Sequence, residues 1–328
     1  MTGRRGRRGV IFPFAGVSLA AHREYVVEIA DLGYTDLWVG ESDGADAVTP
    51  LALAAAWEPR LRLGTAVVSA FTRPPALLAM TAAALADAAP GRFVLGVGAS
   101  SEAVVQHWNS IPFAKPVART RDVVRFLRRA LRGERVTETF ETFSVEGFRL
   151  GRPPEHTPPI VVAGLRAQML ALAGREGDGA VLTCLSADDV AGVVPGIAAA
   201  AASAGREPPE IVAWITVCPS PDRDLAHDAA RRRLVGYLTV PAYAAFHAER
   251  GRGGPLAAMA EAWARGDRRG AAAAIPGALI DDLVVNGTPE ACREHLDRFA
   301  GAGVTTILLE VLPGTVDPRT ALRALALR

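Results

Sequence analysis

The chain is poor in the features that mark several classes of protein. Of its 328 residues only 6% are aromatic, three are cysteines, and the formal net charge is +1. A near-neutral balance of charges provides no field that would favour nucleic acid or a membrane surface. Cys184, Cys218 and Cys292 lie far apart and match no Cys-x-x-Cys spacing. We therefore expect reduced thiols in a cytoplasmic protein, without disulfides or a metal site.

Long apolar runs are also missing. No stretch of transmembrane length is free of charged residues and proline. The apolar run from Val10 is interrupted by Pro13 and Gly16, which argues against a signal peptide. The Gly- and Arg-rich segment 1–9 is expected to be a disordered basic arm, and residues 10–328 are predicted to form a single domain.

What the chain has in abundance is a regular alternation of short apolar strands with helices. The predicted strands cover residues 10–14, 35–39, 61–69, 93–97, 159–163, 180–183, 211–217 and 305–311, with a further short candidate at 283–285. A hairpin is predicted at 136–150, with its turn at Glu146-Gly147, and a helical segment at 225–275. The helix after the second strand is expected to have Thr49 as its N-cap, and a later helix is expected to have Thr288.

Eight such units in one continuous chain favour an α/β fold, a single (β/α)8 TIM barrel with two insertions. The insertions are the hairpin after the fourth helix and the helical segment after the seventh strand. The competing fold is a Rossmann domain, which requires a Gly-x-Gly-x-x-Gly sequence after its first strand. Here that strand ends in Phe12-Pro13-Phe14-Ala15-Gly16, so the barrel is preferred.

In such a barrel, the residues that follow the strands converge on one rim and form the site. The polar candidates are Glu41, Asp43, Ser69, Ser100, Ser101, Glu102, Thr183 and Glu310. Glu41 follows an apolar strand and is interpreted as a general acid or a hydrogen-bond partner, although a solvated turn residue is the alternative. Glu102 is the reserve candidate for the acid.

Two glycine-containing strand ends have both a functional and a structural interpretation. Gly96 and Gly98 either open a ligand site or permit a tight turn. Gly164-Leu165-Arg166 ends a strand and begins a helix, so its free N–H groups could bind a phosphate, or it is an ordinary connection. Asp281 and Asp282 are adjacent acids without further ligand spacing, and no metal site is predicted there.

Several segments together resemble the luciferase-like monooxygenase superfamily, and within it the coenzyme F420-dependent oxidoreductases. The first group runs through the centre of the chain: Gly91–Gly98 (GRFVLGVG), 104–109, 112–116 and 119–123. Three further segments resemble recurrent segments of the same family, at 64–67, 174–179 and 287–292. The resemblance extends from about the first strand to the last.

The resemblance implies a TIM barrel that holds a deazaflavin, F420, or alternatively FMN, at the strand ends. By similarity, the ring would rest against a bulge at Ala66 and Val67, often a non-prolyl cis peptide in this family. The cofactor-binding residues implied are Ala66, Val67, Gly98, Ala99, Ser100, Gly164, Leu165 and Thr183, with the phosphate near Gly164 and Thr183. Glu41 would stand beside the reactive ring edge.

One departure from the family limits the substrate. The F420-dependent sugar-phosphate dehydrogenases have an Asp-His pair after the second strand, where this chain has Glu41-Ser42. We therefore expect hydride transfer between F420 and another small organic substrate. The alternatives are an FMN-dependent monooxygenase and a barrel that binds F420 or flavin without turnover. A homodimer is also implied, with the alanine-rich run 82–88 as a candidate contact surface.

Overall fold

The structure is a computed structural model that describes residues 6–326. Its strands are β1 (Arg7–Ile11), β2 (Asp36–Gly40), β3 (Arg62–Ser69), β4 (Phe93–Gly98), β5 (Val136–Thr139), β6 (Ser144–Phe148), β7 (Ile160–Ala163), β8 (Gly179–Thr183), β9 (Glu210–Pro219), β10 (Val285–Gly287) and β11 (Thr306–Val311). Eight parallel strands pair in the ring order β1-β2-β3-β4-β7-β8-β9-β11 and close from β11 back to β1. The predicted TIM barrel is confirmed.

The helices are α1 (His22–Asp31), α2 (Val48–Trp57), α3 (Pro75–Ala88), α4 (Pro116–Leu131), α5 (Ala167–Glu176), α6 (Ala187–Ser203), α7 (Arg223–Leu238), α8 (Pro241–Glu249), α9 (Ala257–Ala264), α10 (Arg268–Ala273), α11 (Gly277–Leu283), α12 (Pro289–Gly301) and α13 (Pro318–Leu325). A short 3-10 helix spans Leu19–Ala21 and a π-helix spans Ala103–Trp108. Within residues 6–326, no helix is long and apolar enough to cross a membrane.

Two apolar layers hold the barrel together. The larger layer lies between the strands and the surrounding helices and includes Leu37, Leu51, Phe126 and Phe299. The smaller layer fills the inside of the barrel with one residue from each strand: Ile11, Trp38, Ala66, Val94, Val161, Val181, Val212 and Leu308. Because this inner layer closes the barrel interior, a ligand can enter only above it.

Both predicted insertions are present. Strands β5 and β6 form the expected antiparallel hairpin, but its turn lies at residues 140–143, and Gly147 is inside β6. Helices α7 to α11 fill the segment between β9 and β10 and have an apolar core of their own. The short strand β10 pairs only with β9 and stands outside the ring, so the candidate at 283–285 is not a barrel strand.

The first strand begins earlier than predicted. Arg7, Arg8 and Gly9 belong to β1 and pair with β11, so the part of the predicted arm from residue 7 onward is ordered; residues 1–5 lie outside the described residues. The reason is the carboxylate of Asp36, which is fully buried and accepts a hydrogen bond from Arg7. The strand also ends earlier than predicted, at Ile11, so Phe14 is outside it and its N–H donates a hydrogen bond to the ring of His22.

One of the two predicted N-caps is wrong. Helix α2 already begins at Val48, and the carboxylate of Asp46 accepts the N–H groups of Val48 and Thr49 at 2.9 and 3.0 Å. The N-cap residue is Ala47, and Asp46, three residues before Thr49, provides the side-chain acceptor that was expected from the threonine hydroxyl. The second cap is confirmed, because the Thr288 hydroxyl accepts the N–H of Ala291.

Candidate active site

A bulge in β3 shapes the centre of the candidate site. Thr65 pairs with Val39 and Val67 with Gly40, so Ala66 is an extra residue relative to β2. The Thr65 hydroxyl restores the lost ladder contacts, accepting the Gly96 N–H at 2.7 Å and contacting the Gly96 carbonyl at 2.9 Å. The expected bulge at Ala66 and Val67 is therefore present. Their peptide bond is trans, since the cis bond among the described residues is Phe12-Pro13.

Gly96 is required by this bulge and does not form a turn. It lies within β4, and a Cβ atom there would stand 2.1 Å from the Thr65 carbonyl oxygen. No side chain can be accommodated at that distance. The interpretation of Gly96 as a turn residue is corrected: its role is to let the bulged strand approach.

Small residues form one side of the barrel mouth. A Cβ atom on Gly98 would lie 2.6 Å from a Val67 methyl and 3.1 Å from the Ala163 Cβ, which places these three residues side by side on adjacent strands. Gly40, at the end of β2, continues the row. We call Gly40, Val67, Gly98 and Ala163 the small-residue wall. It leaves a smooth, uncharged surface directly above the inner apolar layer.

Trp214 belongs to β9, and its indole extends from that strand across the barrel mouth. A Cβ atom on Gly40 would stand 2.3 Å from the six-membered ring of Trp214, so the indole packs directly on the small-residue wall. The side chain is partly exposed, but its Nε1 is buried and has no hydrogen-bond partner. A buried N–H without a partner costs about 1–3 kcal/mol.

Charged and hydroxyl groups occupy the remaining side. Glu310 on β11 accepts hydrogen bonds from the Thr216 hydroxyl at 2.9 Å and from the guanidinium of Arg233 on helix α7. Arg233 also donates to the Tyr237 hydroxyl at 3.0 Å, and Thr183 lies beside that phenol. Burial raises the pKa of Tyr237, so the phenol stays protonated. The helical insertion thus contributes side chains to the barrel mouth.

Glu41 is engaged by an arginine that the sequence did not single out. Both carboxylate oxygens accept hydrogen bonds from Arg73, and one also accepts the N–H of Ala47 at 3.1 Å. The side chains of Glu41 and Arg73 are 18% and 17% exposed, and the hydrogen bond to Glu41 raises the pKa of Arg73. In this geometry Glu41 acts as an acceptor, which favours an orienting role over proton donation.

A polar cavity of about 230 Å³ adjoins this ion pair. Its lining comes from the ends of β2, β3 and β4: Glu41, Ser42, Gly44, Ala45, Asp46, Ser69, Thr72, Ser100, Val104 and Asn109. Burial opposes ionisation of Asp46, but hydrogen bonds from Thr49 and Val48 outweigh it and lower the pKa of that carboxyl. The cavity can therefore receive a small group rich in hydrogen-bonding atoms.

The other predicted residues around β4 are more exposed. Ser100 has a positive φ of 65° and lines the cavity, while Ala99 is half-buried beside it. Glu102 is exposed just before the π-helix and Trp108 is exposed at its end, and Asp43 is exposed in the loop after β2. The structure thus brings Glu41, Ser69 and Ser100 together, and Glu102 does not line the cavity.

At the end of β7, the backbone is tightly packed. A Cβ atom on Gly164 would stand 3.0 Å from Met169 in helix α5, and Leu165 is buried. Arg166 precedes α5 and pairs with Glu249 at 2.7 Å, so helix α8 is held against this strand end. Thr183, on the next strand, is half-buried on the inside of the mouth.

Beneath helix α8, a second buried polar group follows β8. Burial raises the pKa of the Cys184 thiol to about 12 and, with Arg252 nearby, lowers the pKa of His247 to about 4. Arg252 pairs with Asp189 at 2.7 Å. The thiol therefore stays protonated at neutral pH and is a poor nucleophile, and the lowered pKa makes the imidazole of His247 a weak base.

Asp281 is also fully engaged by protein groups. Its carboxylate contacts His227 at 2.7 Å, Arg223 at 2.6 Å and Asn286 at 3.3 Å, in a separate cleft of about 430 Å³. Asp282 is exposed. Across residues 6–326, no group of three or more His, Cys, Asp or Glu side chains could hold a metal ion.

Comparison with known proteins agrees with this architecture. The sequence profile of the luciferase-like monooxygenase family matches residues 7–306. The chain belongs to this family. It is 28% identical over 294 residues to the 5,10-methylenetetrahydromethanopterin reductase of Archaeoglobus fulgidus, covering 87% of this chain and 88% of that one. It is 29% identical over 333 residues to a Mycobacterium tuberculosis protein provisionally named a coenzyme F420-dependent oxidoreductase, covering 93% and 94%.

The fold of this family member also matches a solved structure over nearly its whole length. The coenzyme F420-dependent tetrahydromethanopterin reductase of Methanopyrus kandleri superposes with a TM-score of 0.84 at 20% identity, covering 98% of this chain and 97% of that one. The resemblance to the luciferase-like family, first inferred from the sequence segments, is confirmed. Within the family, the relatives named above that this chain resembles include F420-dependent proteins.

Proposed function

We propose that this protein is an F420-dependent oxidoreductase that transfers a hydride between the deazaflavin and a small organic substrate. The observation that carries the proposal is the composition of the barrel mouth, where the small-residue wall and the polar groups of β8, β9 and β11 lie above the inner apolar layer, next to the polar cavity. Its sequence relatives over more than four-fifths of the chain include a reductase and a protein named for coenzyme F420.

The residues at the mouth fit a planar ring. The absence of a side chain at Gly98 lets Val67 and Ala163 lie close together, so this part of the mouth presents only small apolar groups to a ring. The indole of Trp214 packs against Gly40 of the same wall, and its buried N–H has no hydrogen-bond partner among the described residues. When bound, the deazaflavin supplies the carbon that gives or takes the hydride. The protein would hold its ring through Ala66, Val67, Gly98, Ala99 and Ser100.

The cofactor's phosphate is proposed to lie near Gly164, Leu165 and Thr183. The Gly164 N–H donates to the Val181 carbonyl oxygen at 3.2 Å, so the N–H groups of Leu165 and Arg166, just before α5, are the ones that would bind an anion. Because a side chain at Gly164 would collide with Met169, Thr183 is the better position to vary. Thr183→Asp should weaken binding of F420 by repulsion, while binding of the phosphate-free deazaflavin nucleoside is retained. Equal losses for both ligands would place the phosphate elsewhere.

We propose that Glu41 and Arg73 orient the substrate beside the ring. Their side chains are less than one-fifth exposed and adjoin the polar cavity, where Ser69 and Ser100 add hydroxyl groups. A substrate bound there would meet donors from Arg73 and the serines at its oxygen atoms. Proton donation by Glu41 requires release of its contact with Arg73, which a bound substrate can provide by replacing that partner.

The decisive experiment is a titration of the purified protein with F420 and with FMN, followed by absorbance. We expect tight binding of F420 and weaker or no binding of FMN. Micromolar binding of FMN without binding of F420 would contradict the cofactor assignment and favour the flavin-dependent members of the family. Binding of F420 without turnover across a broad set of small carbonyl and alkene compounds would favour a binding protein.

We also propose a cytoplasmic homodimer. The three cysteines are unpaired and buried, as reduced thiols would be. In the run 82–88 the alanines at 82, 83 and 86 face the core, so that run is not itself a flat outer surface. The outer face of α3 instead presents Leu77 and Met80, 48% and 55% exposed, with Ala84 one turn further. That apolar face is the proposed contact between subunits.

A further inference from the structure

We propose that the indole N–H of Trp214 donates a hydrogen bond to a carbonyl oxygen on the ring of the bound cofactor and so fixes the ring's position in the mouth. This inference rests on the proposed function, because it assigns the partner of Trp214 to the deazaflavin. Trp214 would then be a positioning residue, with no part in moving the hydride.

The first support is the absence of a protein partner for this nitrogen. Within residues 6–326, only Trp214 Nε1 and Arg319 Nε are buried without a hydrogen bond. Arg319 Nε lies 3.1 Å from a carboxylate oxygen of Glu28, so its charge is compensated. Trp214 has no such neighbour. A buried donor left in this state is unfavourable, and an arriving acceptor would recover that free energy.

The second support is the position of the indole. Val212, Trp214 and Thr216 alternate along the inner face of β9, and Val212 is part of the inner apolar layer. Trp214 therefore lies one step above that layer, where an entering ring would first make contact. Contact of its six-membered ring with Gly40 sets the indole against the small-residue wall.

The polar groups near Trp214 limit which atoms can accept a hydrogen bond from its indole N–H. Glu310 is occupied by Arg233 and Thr216, and Glu41 by Arg73, so the carboxylates around the mouth already have partners. Neither carboxylate is therefore the acceptor for Trp214, and the bound ligand is the acceptor that we propose. A neutral donor in an apolar slot suits a neutral carbonyl oxygen on a planar ring, which a deazaflavin carries on its pyrimidine edge.

Trp38 provides an internal comparison. It lies on the same inner side of the barrel, but its Nε1 donates to Asp36 at 3.2 Å. Trp38 thus already has an acceptor, and Trp214 has none. The Trp214 nitrogen is covered while the rest of its side chain is partly exposed, so the ligand contact requires a small turn about the soft Cβ–Cγ torsion.

The test follows the indole N–H signals of protein labelled with ¹⁵N-tryptophan, titrated with F420 and, in parallel, with FMN. The chain has five tryptophans, so five signals are expected. Trp214→Phe, or Trp214→Tyr if the first variant does not fold, assigns the signal of Trp214. On saturation with F420 this signal should move downfield, while that of Trp38 stays in place because its donor is already bound.

The affinity of the variant completes the test. Trp214→Phe should raise the dissociation constant of F420 about ten-fold, as expected for one lost hydrogen bond to a buried donor. The matched control Trp57→Phe, at the far end of α2, should leave it unchanged. An unmoved Trp214 signal at saturation, or equal affinity of Trp214→Phe and wild type, would overturn the proposal.

These outcomes separate the inference from the proposed function. If FMN binds, F420 does not, and the Trp214 signal moves, the cofactor assignment fails while the indole contact stands for a flavin ring. If F420 binds and the signal does not move, the function stands and the indole contact fails. If neither ring binds, both are wrong.

Discussion

The two ends of the barrel use charge in opposite ways. At the end where the strands begin, the fully buried Asp36 accepts hydrogen bonds from Arg7, Arg62, Thr35 and Trp38. Arg62 continues the network to Glu210, which also accepts from Thr306. Every charge in this group has a partner within the protein, so the network closes that end and needs no ligand.

At the end where the strands finish, the ion pairs are separate from one another and do not form a connected network. Glu41 pairs with Arg73 on one side and Glu310 with Arg233 on the other, and Trp214 between them has no partner. The difference indicates that the closed end serves stability and the open end serves binding. Variants at the two ends should therefore change different measurable quantities.

The largest effect is expected at the closed end. Asp36→Asn leaves Arg7 and Arg62 without their shared carboxylate and should lower the free energy of unfolding by about 3 kcal/mol, measured by urea denaturation. Asp31→Asn removes an exposed partner of Arg60 and serves as the control, with a loss of about 0.5 kcal/mol or less. Similar losses in the two variants would show that burial of Asp36 adds nothing.

At the open end, Glu41→Gln should reduce turnover by about 10²-fold with little change in F420 affinity. It should lower the free energy of unfolding less than Asp36→Asn does, because Arg73 also has Asp46 at 3.8 Å. Turnover is followed by F420 absorbance with a substrate found by screening. Glu102→Gln is the control and should be near wild type, because Glu102 is exposed and outside the cavity.

A further variant separates the two roles of Glu41. If Glu41 acts by orienting Arg73, Arg73→Gln should cost as much as Glu41→Gln, and the double variant no more than either. A proton donor would make Glu41→Gln alone severe. Full activity of both glutamate variants would mean that the proton comes from solvent.

A smaller effect on the free energy of unfolding is expected when the pH is lowered. Burial and Arg252 lower the pKa of His247 to about 4, below the value near 6.5 in the unfolded chain. The unfolded state therefore binds more protons between these values, so stability is full above pH 6.5 and falls as the pH drops toward 4. At pH 5.5 the loss from this residue should be about 1 kcal/mol.

The measurement is urea unfolding at pH 7.5 and 5.5 for wild type, His247→Gln and His107→Gln. His247→Gln should show the smaller difference between the two pH values. His107 is exposed, and its variant should behave as wild type. A wild-type difference that persists unchanged in His247→Gln would assign the acid sensitivity to other groups.

The smallest effect on the stability of the barrel is expected from a substitution on the outer face of helix α3. Met80→Glu places a charge on the exposed apolar face of α3 and should convert the dimer to a monomer, measured by light scattering, with unfolding changed by less than about 0.5 kcal/mol. Ser203→Glu, at the exposed end of α6, is the control. A dimer that survives Met80→Glu would place the subunit contact elsewhere, and a wild-type monomer would refute the dimer.

Much of the fold could be predicted because strand and helix periodicity is a local property of the sequence. Each barrel strand was located, but β1 was placed too late, since pairing of Arg7 with the buried Asp36 depends on a residue 29 positions away. The helix cap at Thr49 was wrong for a local reason, because Asp46 offers an equivalent acceptor nearby.

The candidate site was predicted less completely. The rule that polar residues after strands converge correctly brought Glu41, Ser69 and Ser100 to one cavity. It could not find Arg73, Trp214 and Arg233, because their contacts are made between elements far apart in the chain. Inner-face alternation along 212–216 is the signal in the sequence that could have indicated Trp214.

The extra residue in β3 also determines which of the following side chains face the barrel interior and which face the helices. Without Ala66 as an insertion, alternation would direct Val68 inward and Val67 toward the helices; in the structure Val67 faces the mouth and Val68 packs in the outer core. Deleting Ala66 would keep Val67 opposite Gly40 but remove the bulge itself, and with it the need for the Thr65 contacts to the Gly96 backbone that replace the ladder there. Libraries that reshape this pocket should therefore vary side chains while keeping the strand length, with Thr65 and Gly96 held together as a unit.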